Sequence, residues 1–148
     1  MIKIVVNGFR SDKSEWEAVQ KVPKEQLPAL TSEQRKVADA QHVPEELYQR
    51  SALAGRRTAE KLLRKTEWLA KLLRSELAKQ APKAAIRSVV LDVWGGKFEI
   101  DIEIDSAPFP PLHIGENIVD DLLDLGSTAS EQKLSEMLER CLQRVGVS

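Results

Sequence analysis

The stretch that decides the fold of this chain is VVLDVWGGKFEIDIEID, which runs from Val89 to Asp105. Apolar and charged residues alternate on both sides of Gly95-Gly96, and a period of two is typical of a half-buried β-strand. Paired glycines favour a two-residue hairpin loop, because glycine adopts the positive φ angles that such turns require. The stretch therefore predicts a β-hairpin over residues 86–105.

The length of the turn also predicts which residues face one another across the hairpin. With a loop made of Gly95 and Gly96 alone, one face is wholly apolar and must pack on helices. The other face carries charges, with Asp92 opposite Glu99 and Asp101 beside them. The predicted apolar pairs are Val93 with Phe98, Leu91 with Ile100 and Val89 with Ile102. The predicted polar-face pairs are Trp94 with Lys97, Asp92 with Glu99, Val90 with Asp101 and Ser88 with Glu103.

Three neighbouring carboxylates allow three interpretations. The favoured one is a solvated surface whose charges discourage aggregation between strands. In water, two charges 7 Å apart repel by only ~0.6 kcal/mol, so a solvated face tolerates them. The second is a docking surface for a basic partner, such as the long helix of a neighbouring subunit. The third is a site for Mg²⁺, Mn²⁺ or Ca²⁺ in a metal-dependent enzyme, with Asp92, Glu99 and Asp101 as oxygen ligands.

Helices are predicted on both sides of the hairpin in the sequence. Apolar residues recur along one face of a long amphipathic helix over about 45–80, which Pro44 precedes and Pro82 follows. Its predicted apolar arc includes Gly55, Ala59 and Leu63. Shorter helices are predicted over 115–125 and 129–145.

The ends of the chain and its linker complete the predicted fold. Met1–Val6 is predicted as a strand, and the proline-rich segment after the hairpin as an extended linker. Thr128 and Glu131 form a capping-box pattern for the last helix, which has Val145 among its core positions. The order β-α-α-β-β-α-α predicts one α+β domain, residues 1–148. In it, the N-terminal strand and the hairpin form a three-stranded sheet packed on four or five helices.

The polar face of the long helix is basic, with seven Lys and Arg and two Glu between residues 56 and 74. Trp68 lies among these cations, and such a tryptophan can stack on a nucleobase while the cations contact phosphates. The alternative, which we favour, is that Trp68 covers another part of the protein, since the pI of 6.2 is not that of a basic nucleic-acid binder. The candidate nucleic-acid-binding or partner-binding residues are Arg57, Lys61, Arg64, Lys65, Trp68 and Lys71.

The composition narrows the function classes. The net charge of −1 combines +7 over residues 1–91 with −8 over residues 92–148, and oppositely charged halves can attract within or between chains. A single cysteine excludes an internal disulfide, and no apolar run is long enough to cross a membrane. No catalytic motif is recognised, so an enzyme is not favoured.

We expect a soluble, cytoplasmic protein-interaction or adaptor protein that forms homo-oligomers without a cofactor. Nucleic-acid binding and divalent-metal catalysis are the alternatives.

Overall fold

The computed structural model describes residues 2–105 and 107–144. Within these residues the chain is α+β, with five α-helices and a mixed sheet of five strands. It divides into two compact units, each with a core of its own. The sheet unit contains the residues up to Gly8 together with those from Leu62 onward, and the helical unit is Phe9–Lys61.

The sheet is larger than the predicted three strands. The strands are β1 (Lys3–Asn7), β2 (Ala84–Asp92), β3 (Lys97–Ile104), β4 (Ala107–Pro108) and β5 (Leu112–Gly115). β1 pairs with β2 in parallel, and every other pairing is antiparallel. The two additional strands, β4 and β5, come from the segment predicted as a linker and both pair with β3. Alternation explains β5, because Ile114 is buried in the core while His113 is exposed.

The long helix and the two C-terminal helices agree closely with their predicted bounds. The helices are α1 (Lys13–Gln20), α2 (Ser32–Ala40), α3 (Glu45–Gln80), α4 (Glu116–Asp124) and α5 (Ser127–Arg144), with one 3₁₀ turn at Lys24–Gln26. Helix α5 begins at Ser127, so Thr128 lies inside the helix and the predicted capping box is wrong. The predictions for Met1 and Val145 lie outside the described residues.

The predicted register of the hairpin is wrong by two residues. The predicted separation of apolar and charged side chains onto opposite faces of the hairpin is confirmed. The turn contains four residues, 93–96, rather than two, and Asp92 accepts a hydrogen bond from the Gly95 N–H at 3.0 Å inside it. Asp92 therefore lies opposite Lys97 instead of Glu99. A shift of two residues preserves the face of every side chain. The fully buried hairpin residues are accordingly Val89, Leu91, Phe98 and Ile100.

The buried stripe of α3 differs from the predicted apolar arc. Gly55 and Ala59 are exposed and Leu63 is 39% exposed, whereas Thr58 and Thr66 are buried. The Thr58 hydroxyl donates to the Ala54 carbonyl at 2.9 Å, and that of Thr66 donates to the Leu62 carbonyl at 2.8 Å. Threonine can occupy a helix interior in this way, because the carbonyl four residues earlier accepts the hydroxyl proton.

Two sets of apolar side chains form the cores. In the sheet unit, Leu69, Leu73 and Leu77 of α3 cluster with the buried face of the hairpin and with α4 and α5. In the helical unit the core is Val19, Leu27, Leu53 and Ala54.

In the helical unit, Arg50 binds backbone carbonyls at the C-terminal end of α1. Its Nη1 donates to the carbonyls of Val19 and Val22, both at 2.9 Å, and its Nη2 lies 2.8 Å from Glu46 Oε1. A guanidinium at a helix C-terminus binds carbonyls that lack helical partners and interacts favourably with the helix dipole. The contact thereby fixes the end of α1 and the turn that follows it against α3.

Candidate interaction surface of the sheet

The strand register places the polar side chains of the sheet in rows on its outer face. Residues directly opposite one another in a ladder project from the same face, so the pairing gives each row. The middle row is Val5, Val90, Glu99 and His113. The flanking rows are Lys3, Ser88 and Asp101 on one side, and Asn7, Asp92 and Lys97 on the other. None of these side chains is fully buried, so the outer face is accessible along all three rows.

Trp94 lies at the end of this face, in the hairpin turn, and is 76% exposed. Its indole ring lies close against the backbone of Gly8, where an added Cβ would come within 3.0 Å of Cδ2 and Cε2 of the ring. Gly8 also has a φ of +96°, a conformation that L side chains rarely adopt. Glycine is therefore required at position 8 both by its backbone and by the ring, and this contact supports one side of an otherwise exposed tryptophan.

The three carboxylates predicted to share a metal ion lie in three different rows. Asp92 binds the Gly95 N–H, and Asp101 accepts a hydrogen bond from the Ser88 hydroxyl at 3.1 Å. Glu99 lies between Val90 and His113 in the middle row. Their predicted convergence depended on Asp92 facing Glu99, which the four-residue turn prevents. In the described part of the chain, no group of three or more His, Cys, Asp or Glu side chains is arranged to hold a metal ion.

Two of the predicted basic residues of α3 bind carboxylates of their own unit. In the helical unit, Lys61 Nζ lies 3.1 Å from Asp12 Oδ2 and 3.4 Å from Glu15 Oε1. In the sheet unit, Lys65 Nζ lies 3.0 Å from Glu116 Oε2. A second carboxylate, Oδ1 of Asp120, is 2.6 Å from the same Lys65 nitrogen. These ammonium groups are less available to phosphates or to a partner than their sequence positions suggest.

The other four predicted residues fall into two groups. Trp68 is half-buried and packs against the core of the sheet unit. Arg57 is half-buried, while Arg64 and Lys71 are exposed. Across residues 2–105 and 107–144, no ion pair involves Arg57, Arg64 or Lys71. The cations that remain for an outside partner are therefore these three, and Trp68 is not presented beside them as an open stacking platform.

The electrostatics of the helical unit follow from its ion pairs. The hydrogen bond from Lys61 lowers the pKa of Asp12 below its ordinary value of 3.8, and the Glu15 N–H lowers it further. The same hydrogen bond raises the pKa of Lys61 above 10.5. Arg50 lowers the pKa of Glu46 below 4.5 in the same way. All three groups stay charged near neutral pH, so they act as structural ions and not as acids or bases poised for catalysis.

A groove of about 320 Å³ lies in the sheet unit near the start of β1. Seven apolar residues and one cation line it: Ile2, Arg74, Leu77, Ala78, Pro82, Ala84, Ala85 and Ile86. This groove brings no acid and base together. No helix of the described chain is both long and apolar enough to span a bilayer. No protein-family model, curated protein or solved structure matches the chain.

Sequence reasoning missed the most prominent feature of this surface, the exposure of Trp94. The available signal was a tryptophan directly before Gly95-Gly96, since turn residues lie at the protein surface. The prediction placed Trp94 in a strand opposite Lys97 on the polar face of the hairpin, and made no statement about its exposure.

Proposed function

We propose that this protein acts through protein–protein contact and assembles with itself through its sheet. The observation that carries the proposal is Trp94, a tryptophan that is three-quarters exposed and supported by Gly8. Tryptophan is among the residues that contribute most to binding energy at interfaces, where it is anchored in a partner. A large aromatic side chain left in water has no comparable role in a monomer.

The surroundings of Trp94 also support an interface. The middle row of the outer face brings half-buried Val5 and Val90 together, and polar or charged side chains, among them Glu99 in the same row, surround them. Protein interfaces have this composition, with apolar groups at the centre and polar groups at the rim. The face therefore matches a contact surface better than a purely solvated strand surface.

The charges of the outer face favour a second copy as the partner. The flanking rows carry both signs, with Lys3 and Lys97 as cations and Asp92 and Asp101 as anions. A two-fold axis brings the same surface patch together from both copies, so such a patch must be complementary to itself. A surface of mixed sign meets that requirement, whereas a surface of one sign repels its own copy.

Light scattering over a wide range of protein concentration tests this proposal. The expected result is a mass of at least twice the 16.6 kDa monomer. Trp94→Ala should shift the equilibrium toward monomer, while Leu47→Ala, which removes an exposed apolar side chain of α3, should not. A monomeric mass at every concentration would overturn the proposal.

The basic residues of α3 allow a direct test of the nucleic-acid alternative. Arg64 and Lys71 are exposed and form no ion pair in the described chain. Retardation of labelled single strands at low salt, lost in Arg64→Ala with Lys71→Ala, would favour nucleic acid over a protein partner. The same double variant should leave self-assembly unchanged.

A further inference from the structure

We infer that the second copy binds at the free edge of β1, so that the two β1 strands pair antiparallel and join both sheets into one. This inference rests on the proposed self-assembly and specifies its surface. Its basis is the direction of the backbone groups of β1, the contrast between the two edges of the sheet, and the self-complementarity of the strand.

The first step is to establish which backbone groups of β1 are available. The Val93 N–H donates to the Asn7 carbonyl at 2.9 Å, so the backbone groups of Asn7 point toward β2. Because a strand alternates, those of Lys3 and Val5 also point toward β2, and those of Ile4 and Val6 point away from it. β1 is the last strand at its side of the sheet, and no backbone hydrogen bond among the described residues reaches its outward groups.

The second step compares the two edges of the sheet. The opposite edge is formed by β4 and β5, and prolines stand at position 108 within β4 and at positions 110 and 111 directly before β5, where proline removes the N–H that an added strand would need. β1 contains no proline, and its single charged side chain is that of Lys3. Its pairing with β2 contains no bulge. Proteins normally protect free edges with such devices, so an edge whose one protective side chain is Lys3 is expected to be paired in the working protein.

The third step is the register. Within β1 only Ile4 and Val6 offer outward groups, and the symmetric antiparallel register that uses both places Ile4 opposite Val6 of the second copy. Both such pairs then exchange their backbone hydrogen bonds, and Val5 lies on the two-fold axis opposite itself. Lys3 falls opposite Asn7 of the other copy, so no like charges meet.

The side chains agree with this register. Ile4 and Val6 are half-buried at the margin of the core, and pairing places them beside their counterparts on the core side. Val5 meets Val5 of the second copy on the outer face, where β-branched pairs stabilise neighbouring strands. The strand is therefore complementary to itself in charge, hydrogen bonding and apolar contact.

The position of Val5 on the two-fold axis provides the test. Val5→Lys and Val5→Glu each place like charges opposite one another, and each should raise the dimer dissociation constant by at least about fivefold. A mixture of the two variants should form a heterodimer, because opposite charges then face each other. The matched controls are Ile118→Lys and Ile118→Glu, which make the same changes at an exposed β-branched side chain of α4 and should leave the dimer intact.

A second variant keeps the test independent of charge. Antiparallel residues that do not exchange hydrogen bonds have Cα atoms about 4.5 Å apart, a distance that a disulfide spans. Val5→Cys in a Cys141→Ser background should therefore form a covalent dimer on mild oxidation, and Val90→Cys in the same background should not.

The outcomes separate this inference from the proposed function. A wild-type oligomer that both persists in Val5→Lys and fails to cross-link through Val5→Cys would overturn edge pairing while self-assembly stands. A monomeric wild type would overturn self-assembly itself. Reassociation of the mixed Lys and Glu variants, together with cross-linking of Val5→Cys, would establish the β1 interface.

Discussion

Lys65→Met is expected to destabilise the sheet unit, because it removes a largely buried ammonium group. The Lys65 side chain is 18% exposed and lies between the carboxylates of Glu116, 6% exposed, and Asp120, 50% exposed. Methionine keeps the apolar stem of the side chain but removes the ammonium group. The carboxylate of Glu116 then remains buried without its salt bridge to Lys65, and this accounts for most of the expected effect.

The magnitude follows from the burial of the pair. Removing one partner of a buried ion pair costs about 3–5 kcal/mol. Asp120 is half exposed and is screened by water, so its contact with Lys65 adds little. Glu116 also lies in the first turn of α4, where the helix dipole favours a negative charge. We therefore expect a loss at the lower end of that range, about 3 kcal/mol in the free energy of unfolding.

Urea denaturation followed by circular dichroism measures this loss. Lys71→Met is the matched control, because Lys71 is an exposed lysine on the same helix and its removal should change stability by less than about 0.5 kcal/mol. Combining Lys65→Met with Glu116→Gln should recover much of the loss, since the buried charge is removed together with its partner. The reasoning would be refuted by a loss below about 1 kcal/mol, or by a double variant no more stable than Lys65→Met.

Three further predictions concern single positions. Asp12→Asn keeps a side chain suited to capping α1 but removes the charge that Lys61 stabilises. Because the folded-state pKa of Asp12 is lowered, its contribution is present above about pH 3.8 and is lost as the pH falls through the folded pKa. Acid unfolding curves should therefore lose part of their slope in Asp12→Asn. His42 has a φ of +56° directly after α2, so His42→Gly should stabilise the protein by about 0.5–1 kcal/mol in thermal unfolding. Gly8→Ala should destabilise it by about 1–3 kcal/mol and change the Trp94 fluorescence, and an unchanged emission spectrum would contradict the proposed contact.

The hairpin shows what alternation predicts and what it does not. The alternation of side chains between the two faces of a strand decides which of them are buried. Phe98 and Ile100 are therefore correctly assigned to the core despite the wrong register. The register depends on the turn, and the turn depends on Asp92 binding the Gly95 N–H, which lengthens the loop from two residues to four. A hydrogen bond between a side chain and a backbone three residues away leaves no trace in the hydrophobic pattern.

The long helix and the edge strands β4 and β5 also have features that the sequence pattern does not predict. Prolines at positions 44 and 82 mark the ends of α3, and proline's effect on the backbone is local enough to be predicted from sequence. The buried stripe of α3 cannot be predicted in this way, because threonine counts as polar in a hydrophobic pattern. Only the structure shows that the Thr66 hydroxyl donates to the Leu62 carbonyl. Strands β4 and β5 were missed because prolines argue against a strand, whereas at a sheet edge they are tolerated.

The opposite charges of the two halves of the sequence are partly neutralised within a single copy. Lys65 from the basic half binds Glu116 and Asp120 from the acidic half, and Arg87 lies 3.7 Å from Glu103 across the hairpin. Charges already paired inside one copy cannot also select a second copy. The contact that selects the second copy must then come from groups that have no partner within one copy. Among such groups, backbone N–H and C=O groups have the strictest need for a hydrogen-bond partner. β1 supplies them in a self-complementary order, and the mixed charges of the outer face are compatible with the same partner.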